Sequence, residues 1–139
     1  MYSVQKRFEK MTVNEKILVA LKSANDNLEN SMLALSERDK VTFADSIWHS
    51  AAEVEYALFL FSMILQDKST LPKWKSGSDL ETETGPVLLE TQNLLKDAEK
   101  CVANERLLDA YKSAYIARHY LLKLQEDIAK KKHEAFKKK

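Results

Sequence analysis

The segment from Thr42 to Gln66, TFADSIWHSAAEVEYALFLFSMILQ, constrains the fold more than any other part of the sequence. It is the longest and most apolar helical pattern in the chain. Its first half is apolar on one side, whereas from Tyr56 onward the opposite side is apolar as well. A helix that is apolar all round has to be covered on both sides. The fold must therefore supply this helix with neighbours on more than one face.

The composition favours helices throughout the chain. Two glycines and two prolines among 139 residues argue against long strands with tight glycine turns. A chain of this length suits one domain, 1–139, which buries roughly two thirds of its unfolded surface without a disulfide or a metal. We therefore expect an all-α protein.

Three features bear on the cellular location. The single cysteine, Cys101, fits a reducing compartment, and the first residues, MYSVQKRFEKM, lack the apolar core of a secretion signal. The most apolar run, 54–65, carries Glu55 and falls short of the roughly twenty residues that a membrane helix needs. These features predict a cytoplasmic protein without a transmembrane segment.

Capping signals mark where the first two helices begin. Thr12 and Glu15 have the spacing of a capping box, in which each side chain accepts a hydrogen bond from a free backbone N–H. The first helix is predicted to run from there to about Ser36. A polar turn follows, and either Asp39 or Thr42 is expected to cap the second helix.

The second half of the chain repeats this layout after a polar linker. Gly85 and Pro86 are predicted to start the third helix, with proline at the first helical position. Asn104 is the expected N-cap of the fourth helix, whose apolar pattern ends near Ile128. Small residues at Ala110 and Ala114 favour close approach of a neighbouring helix.

Together these elements predict an up-down four-helix bundle built from two αα-hairpins. The predicted organisation is a first hairpin over 12–66, a linker over 67–85, a second hairpin over 86–129 and a basic tail over 130–139. An internal duplication is one interpretation, because shifts of 64 and 66 residues align identical residues of the two halves, such as Tyr56 with Tyr120.

One helical column has the residue types of a metal site. Asp45, His49 and Glu53 stand at i, i+4 and i+8. The helical wheel places them opposite the apolar stripe, and the Glu-x-x-His pairs of di-iron bundles do not occur in the sequence. A solvated polar face is the preferred interpretation, and no metal or cofactor is expected. A metal-binding or small-ligand bundle is kept as an alternative.

Basic residues supply the candidates for anion contacts. Arg118 lies near the apolar stripe of the fourth helix, where we expect a pair with Glu90 or Asp97, or an anion contact between helices. The tail holds six lysines against one glutamate, a net +5, so the overall +1 leaves −4 for residues 1–129. Binding of nucleic acid or an anionic surface by the tail is therefore an alternative function. Its candidate residues are Lys130, Lys131, Lys132, Lys137, Lys138 and Lys139.

No catalytic signature is present in the sequence. Cys101 falls on an apolar face, where a thiol is an inert small hydrophobe. His119 and His133 have no partner at a catalytic spacing and are expected at the surface.

The preferred function is a small non-enzymatic interaction or scaffold protein that forms a homodimer. The candidates for its interface are Tyr56, Leu60, Met63 and, in the linker, Trp74. An apolar face that four helices leave uncovered needs either the linker or a second subunit over it. The sequence names neither the partner nor the biological process.

Overall fold

The structure is a computed structural model that describes residues 11–65 and 83–137. Four helices make up this part of the chain: α1 (Val13–Ser36), α2 (Lys40–Ile64), α3 (Thr84–Ala103) and α4 (Leu107–Lys137). No strand occurs in the described ranges. The predicted all-α four-helix bundle is confirmed.

The first two helices begin at the predicted caps. The hydroxyl oxygen of Thr12 accepts a hydrogen bond from the backbone N–H of Glu15 at 3.1 Å. Asp39 caps α2, because one carboxylate oxygen accepts from the Thr42 N–H at 3.1 Å and the other accepts from the Thr42 hydroxyl at 2.6 Å. These bonds satisfy N–H groups that a first helical turn leaves free.

The starts of the last two helices differ from the predictions. Helix α3 begins at Thr84, so Pro86 lies in its third position rather than its first. Proline is tolerated there because the N–H groups of the first turn have no partner within the helix. Asn104 is the C-cap of α3 and not the N-cap of α4, since its backbone N–H donates to the carbonyl groups of Lys100 and Val102.

The two hairpins turn in the same way. Arg38 has φ 59° and Glu105 has φ 60°, the left-handed conformation that ends many helices. The following residue then donates its N–H back to the last turn, from Asp39 to Ala34 at 2.9 Å and from Arg106 to Cys101 at 2.8 Å. The two turns lie 67 residues apart, and they fold each hairpin into an antiparallel pair.

Polar contacts between the hairpins give the direction of every helix. Asn25 Nδ2 donates to Glu99 at 3.3 Å, and Gln92 Nε2 donates to Glu29 at 3.5 Å, so α1 and α3 are antiparallel. Helices α2 and α4 are also neighbours. They are antiparallel too, since Glu55 contacts Arg118 and, later along α2, Phe61 contacts Tyr111.

The order of directions is therefore up-down-down-up, which differs from the alternating up-down order predicted from the sequence. Helices α2 and α3 lie diagonally and run the same way, so the C-terminus of α2 and the N-terminus of α3 are at opposite ends of the bundle. Bundles with one long crossover connection have this arrangement. Residues 66–82, which include most of the predicted linker, lie outside the described ranges.

The core is a single cluster of aliphatic side chains with one aromatic ring, Phe61. Ala110 and Ala114, for which close helix approach was predicted, are fully buried on α4, and so is Ala117. Ser50 is buried on α2, and its hydroxyl donates to the carbonyl oxygen of Ala24 at 3.0 Å. This bond ties α2 to α1 across the core.

When 67 is added to the residue numbers of the first hairpin, most of its buried positions coincide with buried positions of the second hairpin. This single shift differs from the shifts of 64 and 66 that residue identity suggested. Identity misleads here because Leu and Ala recur in every helix, whereas burial follows the position in the bundle. The buried pairs are Ala20 with Val87, Leu21 with Leu88, Ala24 with Thr91, Asn25 with Gln92, Leu28 with Leu95, Ser31 with Ala98, Ile47 with Ala114, Ser50 with Ala117, Val54 with Leu121 and Ala57 with Leu124.

Candidate interaction surface

Exposed apolar side chains are concentrated on the outer side of α2 and α4. Seven of the eleven large hydrophobic residues that the described chain exposes belong to these two helices. They are Val41, Trp48, Tyr56, Phe59 and Met63 on α2, and Leu108 and Leu122 on α4. Exposed patches of this kind mark sites of protein association.

Seven outward-facing residues of α2 form one continuous row, which we call the α2 stripe. Its members follow one another at intervals of three or four residues, so they share one side of the helix. All of them are exposed: Val41, Asp45, Trp48, Ala52, Tyr56, Phe59 and Met63. Asp45 is the only charged member.

One of the predicted interface residues, Leu60, is not on the surface. Tyr56 is 41% exposed and Met63 is 54% exposed, but Leu60 is only 5% exposed and belongs to the core. Ser50 faces α1. At about 100° per residue, Leu60 lies roughly 80° from Ser50 around α2, whereas Phe59 lies roughly 180° from it. Phe59, which is 59% exposed, takes the outward place expected for Leu60.

A row of aromatic rings runs along α4 beside this face. The rings of Phe61 and Tyr111 meet edge to face with centroids 6.0 Å apart. Tyr111 and Tyr115 follow at 5.8 Å, and Tyr115 and His119 at 4.9 Å. Burial raises the pKa of the Tyr111 hydroxyl above its ordinary value. The Phe61–Tyr111 contact joins α4 to α2, whereas the other two contacts lie within α4.

His119 is less exposed than the sequence predicts. It is half-buried, and its Nε2 atom is buried without a hydrogen-bond partner in the described part of the chain. His133 is exposed, as expected.

Arg118 pairs with Glu55 of α2 and not with Glu90 or Asp97 of α3. The two predicted partners were wrong because Arg118 lies on the flank of α4 that faces α2. The other predicted possibility, an anion contact between helices, is not contradicted, since Arg118 contacts a carboxylate across the two helices. The side chains of Arg118 and Glu55 are 33% and 51% exposed. Exposed pairs contribute little to stability, so this pair orients the two helices more than it stabilises them.

A shallow groove separates α2 from α4. Its central part has a volume of about 240 Å³ and lies beside the Glu55–Arg118 pair. It continues into a wider depression of about 570 Å³, with Trp48, Leu122 and Gln125 common to both parts. The groove is lined by side chains of both helices, including the exposed Trp48 and Leu122.

The residues considered for metal binding and Cys101 do not come together in a site. Asp45 and His49 are exposed, and Glu53 is half-buried. Within 11–65 and 83–137, no three His, Cys, Asp or Glu side chains are grouped so that they could hold a metal ion. Cys101 is half-buried and packs against the core.

Residues 130–137 of the basic tail continue α4. The helix runs to Lys137 rather than ending near Ile128, because Lys, Glu and Ala are strong helix formers. Lys130, Lys131 and Lys132 are exposed on it. The predictions for Trp74, Lys138, Lys139 and the side chain of Lys137 fall outside the described residues.

None of the four helices combines the length and the apolar character that crossing a membrane requires. Comparison with protein-family models, curated proteins and solved structures found no match.

Proposed function

We propose that this protein is a small non-enzymatic interaction module that self-associates through the outer face of α2 and α4. The observation that carries the proposal is the α2 stripe, a row of exposed side chains in which Trp48 is 66% exposed and Phe59 is 59% exposed. Aromatic side chains dominate the energetics of protein interfaces.

The size of the face supports an interface. A fully exposed aromatic side chain presents on the order of 150–250 Å², and Val, Leu and Met present somewhat less. Scaled by their exposed fractions, the seven residues present roughly 600–800 Å² together. Specific interfaces of standard size bury about 800 Å² on each partner. The face thus has the area for a dimer without requiring other surfaces of the bundle.

The experiment that tests the proposal is light scattering on matched charge substitutions. Phe59 on α2 and Leu33 on α1 are both 59% exposed, so Phe59→Glu and Leu33→Glu introduce the same charge at equal exposure. Wild-type protein and Leu33→Glu are expected above the monomer mass of 16.0 kDa at high concentration. Phe59→Glu is expected at 16.0 kDa, because association would bury an unpaired carboxylate.

Two results would overturn the proposal. One is a wild-type protein that stays at the monomer mass at every concentration. The other is an equal loss of association in Phe59→Glu and Leu33→Glu, which would move the interface away from α2.

A further inference from the structure

The spacing of the α2 stripe is palindromic about Ala52. Trp48 and Tyr56 lie four residues before and after Ala52, Asp45 and Phe59 lie seven residues away, and Val41 and Met63 lie eleven residues away. A row of this kind has the same spacing when it is read in either direction. It therefore matches an antiparallel copy of itself in register.

We infer that the partner on this face is a second copy of the chain, whose α2 packs antiparallel across a two-fold axis at Ala52. The inference rests on the proposed function, and it specifies the partner and its orientation. In a two-fold interface, residue i meets residue j and residue j meets residue i. Trp48 of each subunit then packs beside Tyr56 of the other, and Val41 beside Met63.

The residues at the axis allow the helices to approach closely. Ala52 has the smallest side chain of the stripe, and interaxial distances depend on the side chains at the contact. On α4 the same level is occupied by Leu121 and Leu122, three and four residues beyond Arg118, because Arg118 lies opposite Glu55. Leu122 is 37% exposed and extends the contact from α2 to α4.

Charge favours the antiparallel orientation over the parallel one. In a parallel dimer the two Asp45 carboxylates would meet across the axis, and like charges in an interface are costly. In the antiparallel arrangement they are fourteen helical residues apart, roughly 20 Å at 1.5 Å per residue. Each Asp45 then lies beside Phe59 of the other subunit.

Cysteine cross-linking tests the orientation. Two variants of the full chain are made, and both carry Cys101→Ser to remove the native thiol. One variant adds Ala52→Cys and the other adds Asp45→Cys, so each has a single thiol on the α2 stripe. A disulfide requires Cα atoms within about 7 Å. Under mild oxidation, Ala52→Cys is expected to give mainly a covalent dimer of twice 16.0 kDa, and Asp45→Cys to remain at 16.0 kDa on a non-reducing gel.

The other outcomes separate this inference from the proposed function. Cross-linking of both variants would show a parallel dimer and overturn the antiparallel orientation. No cross-link at Ala52→Cys, in a protein that light scattering shows to be dimeric, would overturn the axis and leave the proposed function standing. A wild-type protein that is monomeric by light scattering would overturn both.

Discussion

Trp48 and Tyr56 lie four residues on either side of Ala52 on the exposed stripe of α2, and both rings face away from the core. Apolar surface in contact with water costs roughly 25 cal/mol per Å² relative to its buried state. The bundle has already buried a complete core, including Phe61 and Ile47, on the opposite side of the same helix. The stripe therefore takes no part in the described core, and under the proposed function it is the surface that associates.

Leu60 and Phe59 should respond in opposite ways to truncation. Leu60→Ala empties a core position and is expected to lower the free energy of unfolding by about 2–5 kcal/mol. Phe59→Ala changes a surface position and is expected to stay within about 0.5 kcal/mol of wild type. Urea unfolding at low protein concentration, where association is negligible, measures both. A larger loss for Phe59→Ala than for Leu60→Ala would contradict this placement.

Removing the charge at Asp45 should strengthen the dimer. The inferred arrangement places this carboxylate beside Phe59 of the second subunit, where its loss of hydration is not repaid by a partner. Asp45→Ala is expected to tighten the dissociation constant roughly three- to tenfold, which corresponds to about 1 kcal/mol. Dilution calorimetry measures the constant. Asp26→Ala, at an exposed position of α1, is the control and should leave it unchanged.

The Glu55–Arg118 pair should contribute little to stability. Both side chains are partly in water, and measured couplings of exposed pairs are about 0.2–1 kcal/mol. A double-mutant cycle of Glu55→Gln and Arg118→Gln, followed by urea unfolding, should give a coupling in this range that shrinks with added salt. A salt-independent coupling of several kcal/mol would show that the pair is effectively buried.

Acid should weaken the N-terminus of α2 through Asp39. Its hydrogen bonds from the side chain and backbone of Thr42 hold the pKa of the carboxyl below its ordinary value. A lowered folded-state pKa contributes stability that is present above the unfolded value, near pH 4, and is lost as the pH falls through the folded value. Asp39→Asn keeps a capping oxygen that does not titrate.

The wild-type melting temperature should accordingly fall more steeply below about pH 4 than that of Asp39→Asn. Thermal melts followed by circular dichroism between neutral and acidic pH provide the comparison. Parallel pH profiles for the two proteins would show that the cap does not contribute.

The starts of the first two helices could be predicted from the sequence because a capping signal lies within a few residues of the helix start. Thr12 and Asp39 cap the first two helices as expected, since a cap depends only on the side chain and the next three N–H groups. Ala110 and Ala114 are buried, in keeping with the close helix approach expected for them, because helical periodicity places them on one face of α4.

The features that the sequence did not predict correctly depend on which helices are neighbours in the bundle. Phe59 lies about 180° from the buried Ser50 around α2, whereas Leu60 lies about 80° from it. Whether a side chain in this second, intermediate direction is covered depends on the packing of the neighbouring helices. Arg118 pairs with Glu55 because α4 packs beside α2 as well as α3. The direction of the second hairpin relative to the first is likewise absent from any local pattern, and the polar contacts between α1 and α3 reveal it.

Sedimentation equilibrium of the wild-type chain over a range of concentrations tests the central claim, self-association through the α2 stripe, most directly. The account predicts a mass that rises from 16.0 kDa toward twice that value and fits a single monomer–dimer equilibrium. A mass that remains at 16.0 kDa up to the highest attainable concentration would contradict it.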